Sequence, residues 1–162
     1  LQRGDFEPAL AGTGDFQSLS EATAFQAVEY SLGQVDEALP LYQRELVIVR
    51  EDEGAYAPEV AARLQAIGRI KRDARCFEEA RVALDESLSI YERAQGRRSA
   101  EVAIVLSTRG QLFAMQDDLD AAERDFVEAL GIRRETDPDN ADGIALLQDR
   151  LAAVRKKGTP AQ

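Results

Sequence analysis

The sequence predicts an all-α solenoid: antiparallel helix pairs stacked side by side, about seven helices in all. Three observations carry this reading. The first is an internal repeat. Ala38, Ala80 and Ala122 stand 42 residues apart, as do Leu46, Leu88 and Leu130, and Ile48, Ile90 and Ile132. The triplet Glu59-Val60-Ala61 returns as Glu101-Val102-Ala103, Leu64 matches Leu106, Gly68 matches Gly110, and Leu84 matches Phe126, with no insertion. The second is helical spacing inside each unit. Val60, Leu64, Ile67 and Gly68, then Phe77, Ala80, Leu84, Leu88 and Tyr91, recur every three or four residues. The third is the lack of strand signals, with no alternating β-branched run and no Asn-Gly hairpin turn. One such pair cannot bury its apolar stripe alone, so neighbouring pairs must bury each other.

Taken in order, residues 1–14 are acidic and contain Gly and Pro, and read as a flexible arm or linker. A repeat domain over 15–157 follows. Helices are expected at 16–31 and 35–51 (pair one), 58–72 and 77–94 (pair two), 99–115 and 119–134 (pair three) and 140–156, with ends uncertain by about 2–4 residues. Residues 158–162 read as a flexible tail. Breakers separate the runs: Glu53-Gly54 with Pro58, Gln95-Gly96, and Asp137-Pro138. Pro58 suits a first helical turn, where its missing N–H costs nothing. Ser99 can cap the helix behind it, with Glu101 favourable at the N-terminal dipole. Short turns make paired helices antiparallel. Gly68 and Gly110, with Ala80 and Ala122 opposite, are expected to let paired helices approach closely. A glycine inside a helix costs about 1 kcal/mol relative to alanine, so it needs a packing reason. Leu64, Leu84, Leu106 and Phe126 are expected to fill the space between pairs. In the last helix Leu147, Leu151 and Val154 cover pair three while Asp149, Arg150 and Arg155 face water. That helix is either a cap or the first half of a further pair.

Composition removes whole classes of function. The chain has 162 residues, no histidine, one cysteine and a net charge of -10. Without His there is no Ser-His-Asp or Cys-His centre and no His-ligated zinc or haem. A single cysteine makes no internal disulfide or thiolate cluster, and Cys76 reads as an inert turn residue. No catalytic, cofactor-binding or metal-binding residues are assigned, and no enzyme or cofactor is expected. Asp117, Asp118 and Asp120 lack the calcium-loop pattern and read as helix N-terminal charge. Arg155-Lys156-Lys157 complements a helix C-terminus. A net charge of -10 argues against nucleic acid as a partner. The absence of a long apolar run argues against a membrane span. Neither a secretory signal nor an initiator Met opens the chain, which reads as a processed product or a piece of a longer, cytoplasmic protein. The acidity is uneven: residues 1–56 carry -8 of the net charge and 57–162 carry -2.

These residues resemble the tetratricopeptide repeat. Ala80 and Ala122 match the small residue near the start of its second helix, and Gly68 and Gly110 the small residue of its first. Leu64 and Leu106 match the bulky position of the first helix, and Leu84 and Phe126 the aromatic position of the second. Ser87 and Ala129 take the later small position. In pair one Ala38 and Tyr42 fit, while Gln26 stands at the glycine position. The 42-residue spacing, with Glu-Val-Ala opening the first helix and Ala129-Leu130-Gly131-Ile132-Arg133 closing the second, resembles the longer kinesin-light-chain subtype.

The resemblance implies a right-handed superhelix whose concave face is lined mainly by first helices. Ser20, Thr23, Ala24, Ala27 and Tyr30 map there from pair one. Ala62, Gln65, Ala66, Arg69 and Arg72 map there from pair two. Ile104, Ser107, Thr108, Gln111 and Met115 follow from pair three, and Leu146, Asp149 and Arg150 from the last helix. The paired asparagines that often line this wall in the subtype are replaced by Gln65-Ala66, Ser107-Thr108 and Gln148-Asp149. From this set Gln65, Arg69, Arg72, Ser107, Thr108, Gln111, Met115 and Arg150 are the candidate peptide-binding residues. Arg69 and Arg72 form either a cationic spot for an acidic motif or a solvated face paired with Asp73 or with acids of pair one. The expected function is a non-catalytic protein-interaction module that holds a peptide or helical segment of a partner protein in its groove. The alternative is an oligomerisation or regulatory module of a larger signalling or enzymatic protein, self-associating through an end face.

Overall fold

A computed structural model describes residues 35–158 of the chain. The expected helix at 16–31, its concave residues and the acidic arm lie outside the described residues. Six helices follow one another with no strand among the described residues: α1 (Val35–Asp52), α2 (Pro58–Asp73), α3 (Phe77–Gln95), α4 (Ala100–Met115), α5 (Leu119–Thr136) and α6 (Ala141–Gly158). Their bounds fall within two residues of those read from the sequence. The last helix runs on through Gly158, so the expected tail begins inside it. Among the described residues no helix is long and apolar enough to cross a membrane.

Helix ends follow the local chemistry. Pro58 occupies the first turn of α2. Ser99 caps α4, its hydroxyl accepting from Val102 N–H at 3.3 Å. Asp118 caps α5 by accepting from Ala121 N–H at 3.1 Å, so this acid serves a helix N-terminus. Asn140 does the same for α6, accepting from Gly143 N–H at 2.8 Å.

The repeat extends into the turns. Arg75 and Asp117, 42 residues apart, both take a left-handed conformation, with φ of 61° and 62°. Each closes a first helix in the same way: Cys76 N–H donates to Lys71 C=O at 2.9 Å, and Asp118 N–H to Phe113 C=O at 3.0 Å. Gly54 and Gly96, also 42 apart, share φ values of 92° and 91° in the linkers between pairs.

The most extensive interfaces lie within pairs, α2 on α3 and α4 on α5. Gly68 and Gly110 set that distance. A Cβ on Gly68 would stand 2.6 Å from Leu84 Cγ, and one on Gly110 would stand 2.8 Å from Phe126 Cε1. This corrects one expectation. Leu84 and Phe126 close the space within a pair, over the glycine of the facing helix. Their register equivalent Tyr42 is likewise buried. Ser87 is fully buried, and its hydroxyl donates to Ala61 C=O at 2.7 Å, tying α3 to α2. Between pairs, buried Glu45 of α1 meets Arg63 of α2 at 2.6 Å, and Arg50 of α1 meets Glu86 of α3 at 2.5 Å.

Candidate functional site

Each first helix places one face, about every third or fourth residue, on the same side of the stack. That side holds two adjoining cavities. One, of about 320 Å³, is lined by Gln65, Arg69 and Arg72 of α2, Ile104, Ser107, Thr108 and Gln111 of α4, Arg133 of α5, and Leu146 and Arg150 of α6. The other, of about 390 Å³, shares Arg72, Gln111 and Arg150 and adds Asp73, Ala114, Met115, Phe126, Ala153 and Val154. Seven of the eight candidate residues thus line the first cavity and Met115 lines the second.

A hydrogen-bonded strip crosses this floor from α2 through α4 to α6. Arg72 Nε donates to Asp73 Oδ1 at 2.8 Å, and Arg72 Nη1 to Gln111 Oε1 at 3.1 Å. Gln111 Nε2 donates to the Ser107 carbonyl at 3.0 Å, and Arg150 Nη1 to Ser107 Oγ at 2.9 Å. The Thr108 hydroxyl turns back to the Ile104 carbonyl at 3.0 Å. Ile104, Met115 and Leu146 stay exposed around the strip. A polar floor with apolar residues at its edge can hydrogen-bond an extended backbone and cover side chains beside it.

Two expectations about arginine are revised. Arg72 is not on a solvated face: it is only 9% exposed and held by Asp73 and Gln111. The pairing with Asp73 is present, but it buries the guanidinium instead of leaving it in water. Arg150 does not face water with Asp149 and Arg155; it is half-buried and reaches back to Ser107. Burial, and then the neighbouring Arg72 charge, push the Arg150 guanidinium below its ordinary range. Arg69 stands near enough to Tyr42 of α1 for its charge to act on the phenol.

The electrostatics of the first cavity oppose those of the chain. Four arginines line it (Arg69, Arg72, Arg133 and Arg150) and no carboxylate does, although the chain carries a net charge of -10. Arg133 was not found from the sequence. Its register equivalents Val49 and Tyr91 are buried core residues, so an arginine at that position was a detectable departure from the repeat. Several acids of pairs two and three are engaged elsewhere: Glu78 and Asp85 with Arg81, Glu79 with Lys71, Glu123 with Arg155 and Asp117 with Lys157.

Comparison with known proteins places this geometry. Residues 61–135 match the family model of the tetratricopeptide repeat. No curated protein matches the chain. Among solved structures the chain is similar to BtubC (BKLC) from P. vanneervenii, with 27% identical residues and a TM-score of 0.76. That match covers 83% of this chain and 54% of the other, so the chain spans about half the length of that protein.

Proposed function

We propose that this chain, a solenoid of tetratricopeptide repeats in their longer, kinesin-light-chain-like form, is a non-catalytic scaffold that holds a segment of a partner protein along its concave face. The observation that carries the reading is the arginine-lined cavity on the strip joining α2, α4 and α6. The strip is already ordered, so little side-chain entropy remains to be lost when a ligand settles on it. Ser107 and Gln111 supply hydrogen bonds to a peptide backbone. Arg150 and Arg72 repel one another, and a carboxylate from the partner relieves that repulsion while gaining a charge-assisted bond. The segment held is therefore acidic.

Selection of random peptides on the intact chain tests this. Peptides that bind should be enriched in Asp and Glu, and Arg150→Glu should weaken them by at least about tenfold, the effect of losing one charge-assisted contact of about 1.5–3 kcal/mol. Gln111→Ala should weaken every groove-bound peptide, acidic or neutral. Binders indifferent to both substitutions would place the binding surface elsewhere.

A further inference from the structure

The arginine-lined cavity carries more positive charge than one carboxylate can meet. Two of its arginines are departures from the repeat. Arg150 stands where the earlier units have Thr108 and Ala66, and Arg133 where they have Tyr91 and Val49. Each brings a charge to a position that is uncharged in the other units, and both departures open into the same cavity of about 320 Å³. Their own neighbours leave these charges largely unmet. Among the described residues Arg150 makes a single hydrogen bond, to the neutral Ser107 hydroxyl at 2.9 Å, and no ion pair. The side chain of Arg133 is only 20% exposed, and its carboxylate neighbour, Asp137, stands 3.8 Å away. The same Asp137 oxygen accepts from Asn140 Nδ2 at 2.8 Å instead. Arg133 also lies over the first turn of α6, where a Cβ on Gly143 would stand 3.0 Å from its Nη1. The positive end of that helix adds to the charge there. Arg72, by contrast, is already paired with Asp73 at 2.7 Å. The Ser107 hydroxyl accepts from Arg150, and its own O–H has no acceptor among the described residues.

We propose that this cavity is a phosphate seat, and that it takes a phosphorylated side chain of the segment held along the concave face. Arg133 of α5 and Arg150 of α6 donate to the phosphoryl oxygens from two sides, and the Ser107 hydroxyl of α4 donates from the floor. A carboxylate offers one negative charge and two oxygens in a plane, enough for one guanidinium fork. A phosphate monoester carries about -1.5 to -2 charge at pH 7 and three strong acceptor oxygens in a tetrahedral array. It can therefore engage both arginines at once, which a single Asp or Glu cannot. The adjoining cavity of about 390 Å³, walled in part by Ala114, Met115, Phe126 and Val154, takes the residues beside the phosphate. A free phosphate ion would leave that apolar wall unused. A phosphate seat rests on the reading that the groove holds an acidic segment, and it specifies the acid.

The probes are fluorescein-labelled peptide pools, degenerate on both sides of a fixed phosphoserine, serine, aspartate or aspartate pair, read by anisotropy against the intact chain. The phosphoserine pool should bind at least about tenfold more tightly than the single-aspartate pool, the effect of one added charge-assisted contact. It should also bind more tightly than the aspartate pair, and the serine pool should bind most weakly. Arg133→Gln should bring the phosphoserine and aspartate pools within about threefold of each other, because one guanidinium then remains for either acid. Arg97→Gln, at an exposed linker arginine remote from the cavity, should keep the full difference. The comparison of pools on the wild-type chain decides the matter if Arg133→Gln misfolds. An aspartate or aspartate-pair pool that binds as tightly as phosphoserine would overturn the phosphate seat and leave the acidic-segment reading standing. A phosphoserine preference untouched by Arg133→Gln would overturn it too. So would inorganic phosphate binding as tightly as the phosphoserine pool, since the occupant would then be the free ion. Pools that are all indifferent to Arg150→Glu would remove the groove reading as well.

Discussion

A few single residues determine how closely the helices of a pair approach. Gly68 and Gly110 are the clearest, because space for even one methyl group is missing opposite each. Alanine is the better helix former by about 1 kcal/mol, so an isolated α2 would gain from Gly68→Ala. In the folded chain the new Cβ would meet the Leu84 branch point, which cannot swing aside as a chain end could. The net effect expected is a loss of about 1–3 kcal/mol from overpacking, measured as a lower urea midpoint, and the double variant with Leu84→Ala should lose less than the two single variants summed. Ser87 shows how a side chain can fit the repeat and still differ from it. Its register equivalent Ala129 is equally buried, but only Ser87 donates across to the facing helix.

At the level of the element, pairs two and three share packing but differ in how they are joined. Where pair two has Ile67 and Ala83, pair three has Arg109 and Asp125. Arg109 makes a two-pronged bond to buried Asp125 at 2.8 and 2.9 Å and a third bond to Asp85 of α3 at 2.8 Å. The hydrogen bond to Asp125, ahead of its charge and those of Asp85, raises the Arg109 guanidinium well above its ordinary range. Arg109→Ile alone leaves the Asp125 carboxylate buried without a partner and should cost about 3 kcal/mol. Adding Asp125→Ala recreates the apolar join of pair two, and the double variant should recover most of that loss in chemical denaturation. Turn chemistry was harder to foresee at this level. A left-handed residue after a helix suggests glycine, yet Arg75 and Asp117 hold that conformation. Composition gave no sign of it, and only the shared backbone register reveals it.

For the whole molecule, burial of two tyrosines sets an alkaline limit on stability. Burial is the main cause that raises both Tyr42 and Tyr91 above the ordinary value of 10.0. The folded chain therefore holds these phenols neutral more strongly than the unfolded chain does. Their contribution is complete below about pH 10 and is lost as pH rises past it toward the raised folded values. The urea midpoint should fall between pH 8 and pH 11, and the Tyr42→Phe, Tyr91→Phe double variant should flatten that fall.

The sequence by itself determined the helix order, the pairing and the place of Gly68 and Gly110 at the close approach within a pair. Each follows from local spacing or from one residue recurring at one interval, and neither needs distant contacts to be known. It also gathered the candidate groove residues, because first-helix faces superpose whenever the register is constant. Only the tertiary structure decided which of them stay open to a ligand. Burial of Arg72, the reach of Arg150 to Ser107 and the entry of Arg133 into the cavity depend on side chains crossing between helices 40 or so residues apart in the chain. Such crossings carry no periodic signal. Their sequence trace is a break in the repeat, an arginine or a carboxylate where the neighbouring units have a core residue, and what the break does is settled by the helix that packs against it.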